Sequence, residues 1–170
     1  MARLTKFITQ HSVAQLAYLA GLVDGEGCFY VGKVKQGRYG NGWQFHTCLT
    51  ICSCDEIIIV WLENTFGGVR ESRYRWTSQK TNYRPVFNWR AQGPMLDYLC
   101  PLIYPYLIIK RKQCEVMLQI RATYANIGSK RLPEAIANKR IELIAEMRTL
   151  NSRFADRRVN HNTCPLSPSV

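Results

Sequence analysis

From Ser12 to Val23 the apolar residues recur at helical spacing. Val13, Leu16, Leu19, Ala20 and Val23 share one broad face, and Ser12 stands where an N-cap belongs. A second stripe, Ala14, Ala17 and Gly21, holds small residues alone, the pattern that lets another backbone approach closely. The period then changes to two. Cys28 to Lys35 reads as a strand, Gln36 to Gly42 as a hairpin loop and Trp43 to Ser53 as the partner strand. In the partner, Phe45, Thr47, Leu49 and Ile51 predict a core face; Gln44, His46, Cys48, Thr50 and Cys52 form the other. Asp55 opens an apolar helix, Glu56 to Phe66, which Gly67-Gly68 ends. A second hairpin follows, Val69 to Trp76 and Tyr83 to Arg90, turning through 78–82, with Phe87 and Trp89 inward and a basic, amide-rich opposite face.

The remainder reads as helices. Gly93 to Ile103 is short, and Pro101 and Pro105 are expected to flank a turn. Lys110-Arg111-Lys112-Gln113 opens a longer helix through Tyr124, which Gly128 ends. Pro133 begins the last helix, with Ile136, Leu143, Met147 and Leu150 inward to about Asn151. One domain is expected over 1–151, with a core over about 12–126, an accessory helix over about 132–151 and a basic tail over 152–170.

Charge sharpens this outline at two helix ends. Asp24 and Glu26 sit at the C-terminus of the first helix, where the dipole is already negative. A lone Asp-Gly-Glu there is ordinarily a pair of solvated acids. Behind a helix with two special faces, the acids are instead held at a junction, where a divalent cation would offset them. Lys110, Arg111 and Lys112 oppose the dipole at the other kind of end. Such a cluster either faces water or faces an anion, and a phosphate would suit it.

The whole chain of 170 residues carries 23 Lys and Arg against 12 Asp and Glu, a net charge of +11. That excess points to nucleic acid rather than to a membrane, for which there is neither a basic amphipathic helix nor an apolar run of about 20 residues. Met1 to Gln10 does not read as a secretory signal, and an intracellular protein (cytoplasm, nucleoid or organelle) is expected. Seven cysteines without a framework spacing read as reduced thiols. Without a CxxC knuckle, structural zinc is not expected, and none of His11, His46 and His161 sits in a hydrolase motif. Arg and Asn on outward strand faces are the side chains that pair bidentately with guanine and adenine.

The string Leu19-Ala20-Gly21-Leu22-Val23-Asp24-Gly25-Glu26-Gly27 resembles the signature of the LAGLIDADG homing endonucleases, with Val23 for isoleucine, Gly25 for alanine and Glu26 for aspartate. Ile51-Cys52-Ser53-Cys54-Asp55 and the Pro105-Tyr106-Leu107 to Lys110-Arg111-Lys112-Gln113 segment extend the likeness, which spans about Ser12 to Asn151. The resemblance implies an α+β fold: an αββαββα core whose curved four-stranded antiparallel sheet lies in the DNA major groove, followed by extra C-terminal helices. It implies an intron-encoded, magnesium-dependent DNA endonuclease, with manganese or calcium able to replace magnesium in binding.

Carried over position by position, the resemblance makes Glu26 the metal ligand beside the Gly25 carbonyl. Lys110 becomes the active-site lysine, and Ser53 takes the place of a longer polar residue and acts through water. Expected readers of double-stranded DNA on the first hairpin are Tyr30, Lys33, Lys35, Arg38, Gln44, His46 and Thr50; a bulge at Gly32 would exchange Tyr30 and Val34 for Lys33 and Lys35. On the second hairpin they are Arg70, Ser72, Arg73, Arg75, Asn82 and Arg84. One motif per chain implies a homodimer around Ala14, Ala17 and Gly21, with Asp24 at the junction, cutting both strands of a long pseudo-palindromic site. The alternatives are an intron RNA-splicing maturase and a non-cleaving DNA-binding regulator.

Overall fold

Ser12 starts the first helix through a reciprocal pair of bonds: its Oγ accepts the Gln15 N–H at 3.2 Å, and Gln15 Oε1 accepts the Ser12 N–H at 2.8 Å. The helix, α1 (Val13–Glu26), buries Leu16, Leu19, Ala20 and Val23. Val13, expected on that face, is 66% exposed. It stands at the edge of the apolar arc in the first turn, where nothing packs over it. The structure, a computed structural model, describes residues 10–35, 43–73, 85–124 and 132–152.

At its C-terminus α1 passes into β1 (Gly27–Lys35) without a loop. Gly27 makes the junction possible, because a Cβ there would lie 2.6 Å from the Val23 Cα and carbonyl oxygen. Next come β2 (Trp43–Ser53) and α2 (Glu56–Phe66), the latter capped by Asp55 Oδ1 on the Ile57 N–H at 2.9 Å. The second hairpin is β3 (Val69–Arg73) and β4 (Val86–Gln92); the expected turn at 78–82 lies outside the described residues, as do the first hairpin loop and Gly128. Between α2 and β3, Gly67 and Gly68 take positive φ, and Trp89 Nε1 donates to the Gly67 carbonyl at 2.7 Å.

The strands form one antiparallel sheet in the order β1-β2-β4-β3. Its inner face, with Phe29, Val31, Leu49, Ile51, Phe87 and Trp89 all buried, packs against helices. Three more helices follow among the described residues: α3 (Pro94–Ile103), α4 (Arg111–Ala122) and α5 (Glu134–Asn151), with a 3-10 turn at Tyr104–Tyr106. The architecture is the α+β arrangement expected, a four-stranded sheet in two hairpins with helices between and after them. Pro101 departs from expectation by lying inside α3. It removes one backbone donor near the helix end, a loss outweighed by burial of Met95, Leu96, Leu99, Cys100 and Ile103.

Arg140 and Asn151 dock the last helix. Arg140 is buried among aromatic rings, 3.8 Å from the Tyr124 centroid and 5.2 Å from that of Phe45. Its guanidinium donates to the Thr123 hydroxyl at 2.7 Å and carbonyl at 3.0 Å, and burial pulls its pKa below the usual arginine value. Asn151 Nδ2 donates to the Phe29 carbonyl at 2.7 Å, covering part of the β1 edge.

Candidate active site and nucleic-acid interface

The two unfavourable helix ends meet. Asp24, at the negative end of α1, places Oδ2 on the Ile108 N–H (2.7 Å) and the Ile109 N–H (3.2 Å), and Oδ1 on the Lys110 N–H (2.8 Å). These amides lead into the N-terminus of α4, so an acid lies where the dipole is positive. Lys110 returns the favour: its Nζ donates to the Val23 carbonyl at 2.9 Å and the Asp24 carbonyl at 2.6 Å, at the negative end of α1. Asp24 thus meets the backbone amides of this segment, while Arg111 and Lys112 are exposed, Arg111 donating to the Pro105 carbonyl at 3.3 Å and Lys112 standing 3.7 Å from Glu115.

Glu26 differs from Asp24. It is exposed, and no hydrogen bond or ion pair joins its carboxylate to another described residue. Gly25 is also exposed, with nothing within 4 Å of a Cβ built there. The next residue, Gly27, pairs with Ile51, so the end of β2 carrying Ser53 runs beside this corner. Ser53 Oγ accepts the Asp55 N–H at 2.9 Å, leaving its own hydroxyl hydrogen to donate elsewhere. Lys110 therefore lies at the end of α1 that carries Glu26, and the strand pairing runs the segment with Ser53 alongside the start of β1.

The outward face of the sheet begins at the same corner. Pairing of β1 with β2 is continuous from Gly27↔Ile51 to Lys35↔Trp43, with no bulge at Gly32. Cys28 and Tyr30 consequently share the outward face with Gln44, His46, Cys48, Thr50 and Cys52. Tyr30 lies along its own strand, its phenol oxygen 2.4 Å from where a Gly32 Cβ would be. Lys33 and Lys35 occupy register positions opposite Phe45 and Trp43, on the other side of the sheet. Cys28 is partly covered, and burial, then its neighbour Cys48, push its thiol pKa up against the opposing influence of Lys110.

The second hairpin corrects two expectations. Arg70 is not on the outward face. It pairs with Trp89 in register and binds Glu56 Oε1 at 3.0 Å and Glu63 Oε2 at 3.1 Å on α2. Two carboxylates two turns apart on α2 draw the cation to the helix side. Ser72 follows Arg70 in parity, opposite Phe87, whereas Arg73 holds an outward register position opposite Val86. Arg38, Arg75, Asn82 and Arg84 lie outside the described residues.

Sequence reasoning missed a polar cluster on the outward face. Glu71 Oε2 accepts from Arg90 Nη2 at 2.8 Å, and Asn88 lies beside them, opposite Glu71 and Cys52. Strand alternation placed Arg90 and Asn88 on this face, but the pairing with Glu71 depends on a register that the sequence does not reveal. Ala14, Ala17 and Gly21 are all exposed as one stripe along α1, and Gly21 has nothing within 4 Å of a built Cβ.

No protein-family model matches this sequence, and no curated protein matches it either. Solved structures do. The homing endonuclease I-CvuI, in complex with the I-CreI target, superposes with a TM-score of 0.66 at 22% identity over 82% of this chain and 83% of that one. I-TnaI, also a homing endonuclease, gives 0.63 at 22% over 81% and 88%. The I-LtrWI LAGLIDADG homing endonuclease bound to target DNA gives 0.63 at 21%, over 81% of this chain but 45% of its own. The chain has the LAGLIDADG homing endonuclease fold. The signature string forms the C-terminal half of α1 and the first residue of β1. One such unit fills most of I-CvuI and I-TnaI, and about half of I-LtrWI.

Proposed function

We propose that the protein is a site-specific DNA endonuclease that acts as a homodimer and breaks both strands of a long, roughly palindromic target. The observation that carries this reading is the separation of the two signature acids. Asp24 is committed to the backbone amides ahead of α4, while Glu26 stands exposed beside the outward sheet face. An acid kept unpaired at that corner has no evident structural task.

The donors fit a hard divalent cation. Among the described residues no three His, Cys, Asp or Glu side chains gather as a complete cage. Each chain offers one carboxylate, Glu26, and the Gly25 carbonyl. That set suits magnesium, which keeps water and phosphate oxygens among its ligands, and manganese or calcium could occupy it too. When bound, such an ion supplies charge stabilisation to the attacking and leaving oxygens of an in-line phosphodiester hydrolysis.

The chain's own residues do the rest. Lys110, fixed on the Val23 and Asp24 carbonyls, sets a positive charge at the corner, where it offsets charge developing on the phosphate. The Ser53 hydroxyl, anchored by the Asp55 amide, orients water near the phosphate. Tyr30, Gln44, His46 and Thr50 present donors and acceptors to base edges from the outward face. The net charge of +11 supplies attraction for the backbone. Exposure of Ala14, Ala17 and Gly21 supports pairing of two α1 helices, giving two Glu26 sites for two strands.

Digesting a randomised duplex library in magnesium and sequencing the new ends tests this reading. Defined double-strand breaks at one long site are expected, and Glu26→Gln should abolish them with affinity nearly unchanged. Tight, salt-sensitive binding to DNA or to intron RNA, with no cuts in magnesium or manganese, would favour a regulator or a maturase instead.

A further inference from the structure

The outward face of the second hairpin holds a polar network that the described residues leave incomplete. Arg90 and Glu71 are diagonal neighbours across β4 and β3, since Val69 pairs with Arg90 and Glu71 with Asn88. Arg90 Nη2 donates to Glu71 Oε2 at 2.8 Å, and the two side chains remain 25% and 36% exposed. Glu71 Oε1 has no partner among the described residues. Asn88, between Cys52 and Glu71 in register, is 6% exposed, and its Oδ1 is buried without a partner among the described residues. Arg90 Nε is buried and unpartnered in the same way. Part-exposed ion pairs add little to stability, and a network that serves only the fold satisfies its buried atoms. This one keeps open donors and acceptors on the face assigned above to DNA.

An arginine beside a glutamate displays a fixed order of hydrogen-bonding groups. With Nε buried, the fork left for a base is Nη1 and the second hydrogen of Nη2, two donors side by side. Next to it stands Glu71 Oε1, an acceptor. In the major groove guanine shows N7 and O6, two acceptors, and its paired cytosine shows the N4 amino donor beside them. Donor, donor, acceptor thus meets acceptor, acceptor, donor. An A·T pair shows N7, N6 and O4 (acceptor, donor, acceptor), so one fork hydrogen and the carboxylate each meet a like group. A C·G pair presents the G·C order reversed.

We infer that Arg90 and Glu71 act as one reader of a G·C pair in each half-site, Arg90 on the guanine and Glu71 on its paired cytosine. This inference rests on the DNA endonuclease reading above and names a base pair that the enzyme selects. The direction from β4 to β3 fixes which strand carries the guanine. Gly27 pairs with Ile51, and Ile51 with Trp89, so β4 lies two strand spacings, about 10 Å, from the start of β1 and the Glu26 corner. The selected pair therefore belongs to the inner part of the half-site, a few base pairs from the cut.

Cleavage profiling over single-base target variants tests the pair, with wild type, Arg90→Ala and the exchange Arg90→Glu/Glu71→Arg. Wild type should favour guanine about tenfold or more at one inner position. Arg90→Ala should lose that preference while cutting at the remaining positions as before. The exchange keeps an ion pair on the face and inverts the order of donors and acceptors, so cytosine should replace guanine on the same strand. On wild-type protein alone, whatever the variants do to folding, 7-deazaguanine at that position removes the N7 acceptor and should weaken binding about tenfold. Guanine retained by Arg90→Ala, binding indifferent to 7-deazaguanine, or selective cutting with no such guanine position would overturn this inference alone. A preference lost in the exchange rather than inverted would overturn the ordered pair and leave Arg90 as the sole reader. A wild type that neither cuts DNA nor binds it selectively would overturn the endonuclease reading, and this inference with it.

Discussion

Asp24 and Lys110 each stabilise the helix end that the other occupies. The Asp24 carboxylate takes three amides before α4, including that of Lys110 at 2.8 Å, and the Lys110 ammonium takes the last carbonyls of α1, including that of Asp24 at 2.6 Å. The exchange joins segments 86 residues apart and sets a lysine at the end of α1 where the exposed Glu26 stands. The proposed function gives Asp24 a structural task and Glu26 a chemical one, and that division yields separable outcomes.

Asp24→Ala should unfold more easily than wild type. Three amides lose a charged acceptor, a loss of about 3 kcal/mol, or roughly 6–12 °C in Tm. Glu26→Gln, on an exposed side chain, should stay within about 0.5 kcal/mol of wild type. Calorimetry on the two variants checks this contrast.

Lys110→Met keeps the aliphatic stem and removes the charge. Cleavage should fall about 100-fold or more, while affinity for target DNA changes less than about tenfold. Single-turnover kinetics alongside a binding titration separate the two effects.

Gly32→Ala should leave the fold intact and disturb base reading. The new Cβ would collide with the tip of the Tyr30 side chain, at 2.4 Å, and that ring is free at its end to swing outward. Cleavage profiling over single-base target variants should show altered preference at a few adjacent base pairs, matching the profile of Tyr30→Ala.

Arg70→Ala should leave target preference as it is. The cation serves Glu56 and Glu63 on a part-exposed surface, so its removal should lower stability by about 1 kcal/mol or less. His46→Ala, on the outward face, should relax preference at its own base pair.

Much of this molecule was legible in its sequence because its punctuation is strong. Ser12, Asp55, Gly67-Gly68 and Pro133 mark helix ends that the structure places within a residue. Period-two alternation named both faces of β2 and the inward residues of β4. Parity in short strands was harder. A five-residue edge strand beginning with an exposed Val69 gives no apolar row to orient it, so the side taken by Arg70 was decided by Glu56 and Glu63, far away in sequence. The same holds for the site. Each strained helix end could be read alone, but that Asp24 and Lys110 answer each other is tertiary information.

The most direct test of the central claim uses the selected target duplex with wild type, Glu26→Gln and mixed dimers of the two. Products are resolved strand by strand on a denaturing gel. One Glu26 per chain, each serving one strand, predicts breaks in both strands for wild type, none for Glu26→Gln, and cutting of one strand per duplex for the mixed dimer. Cutting by Glu26→Gln at the wild-type rate would contradict the assignment of the site.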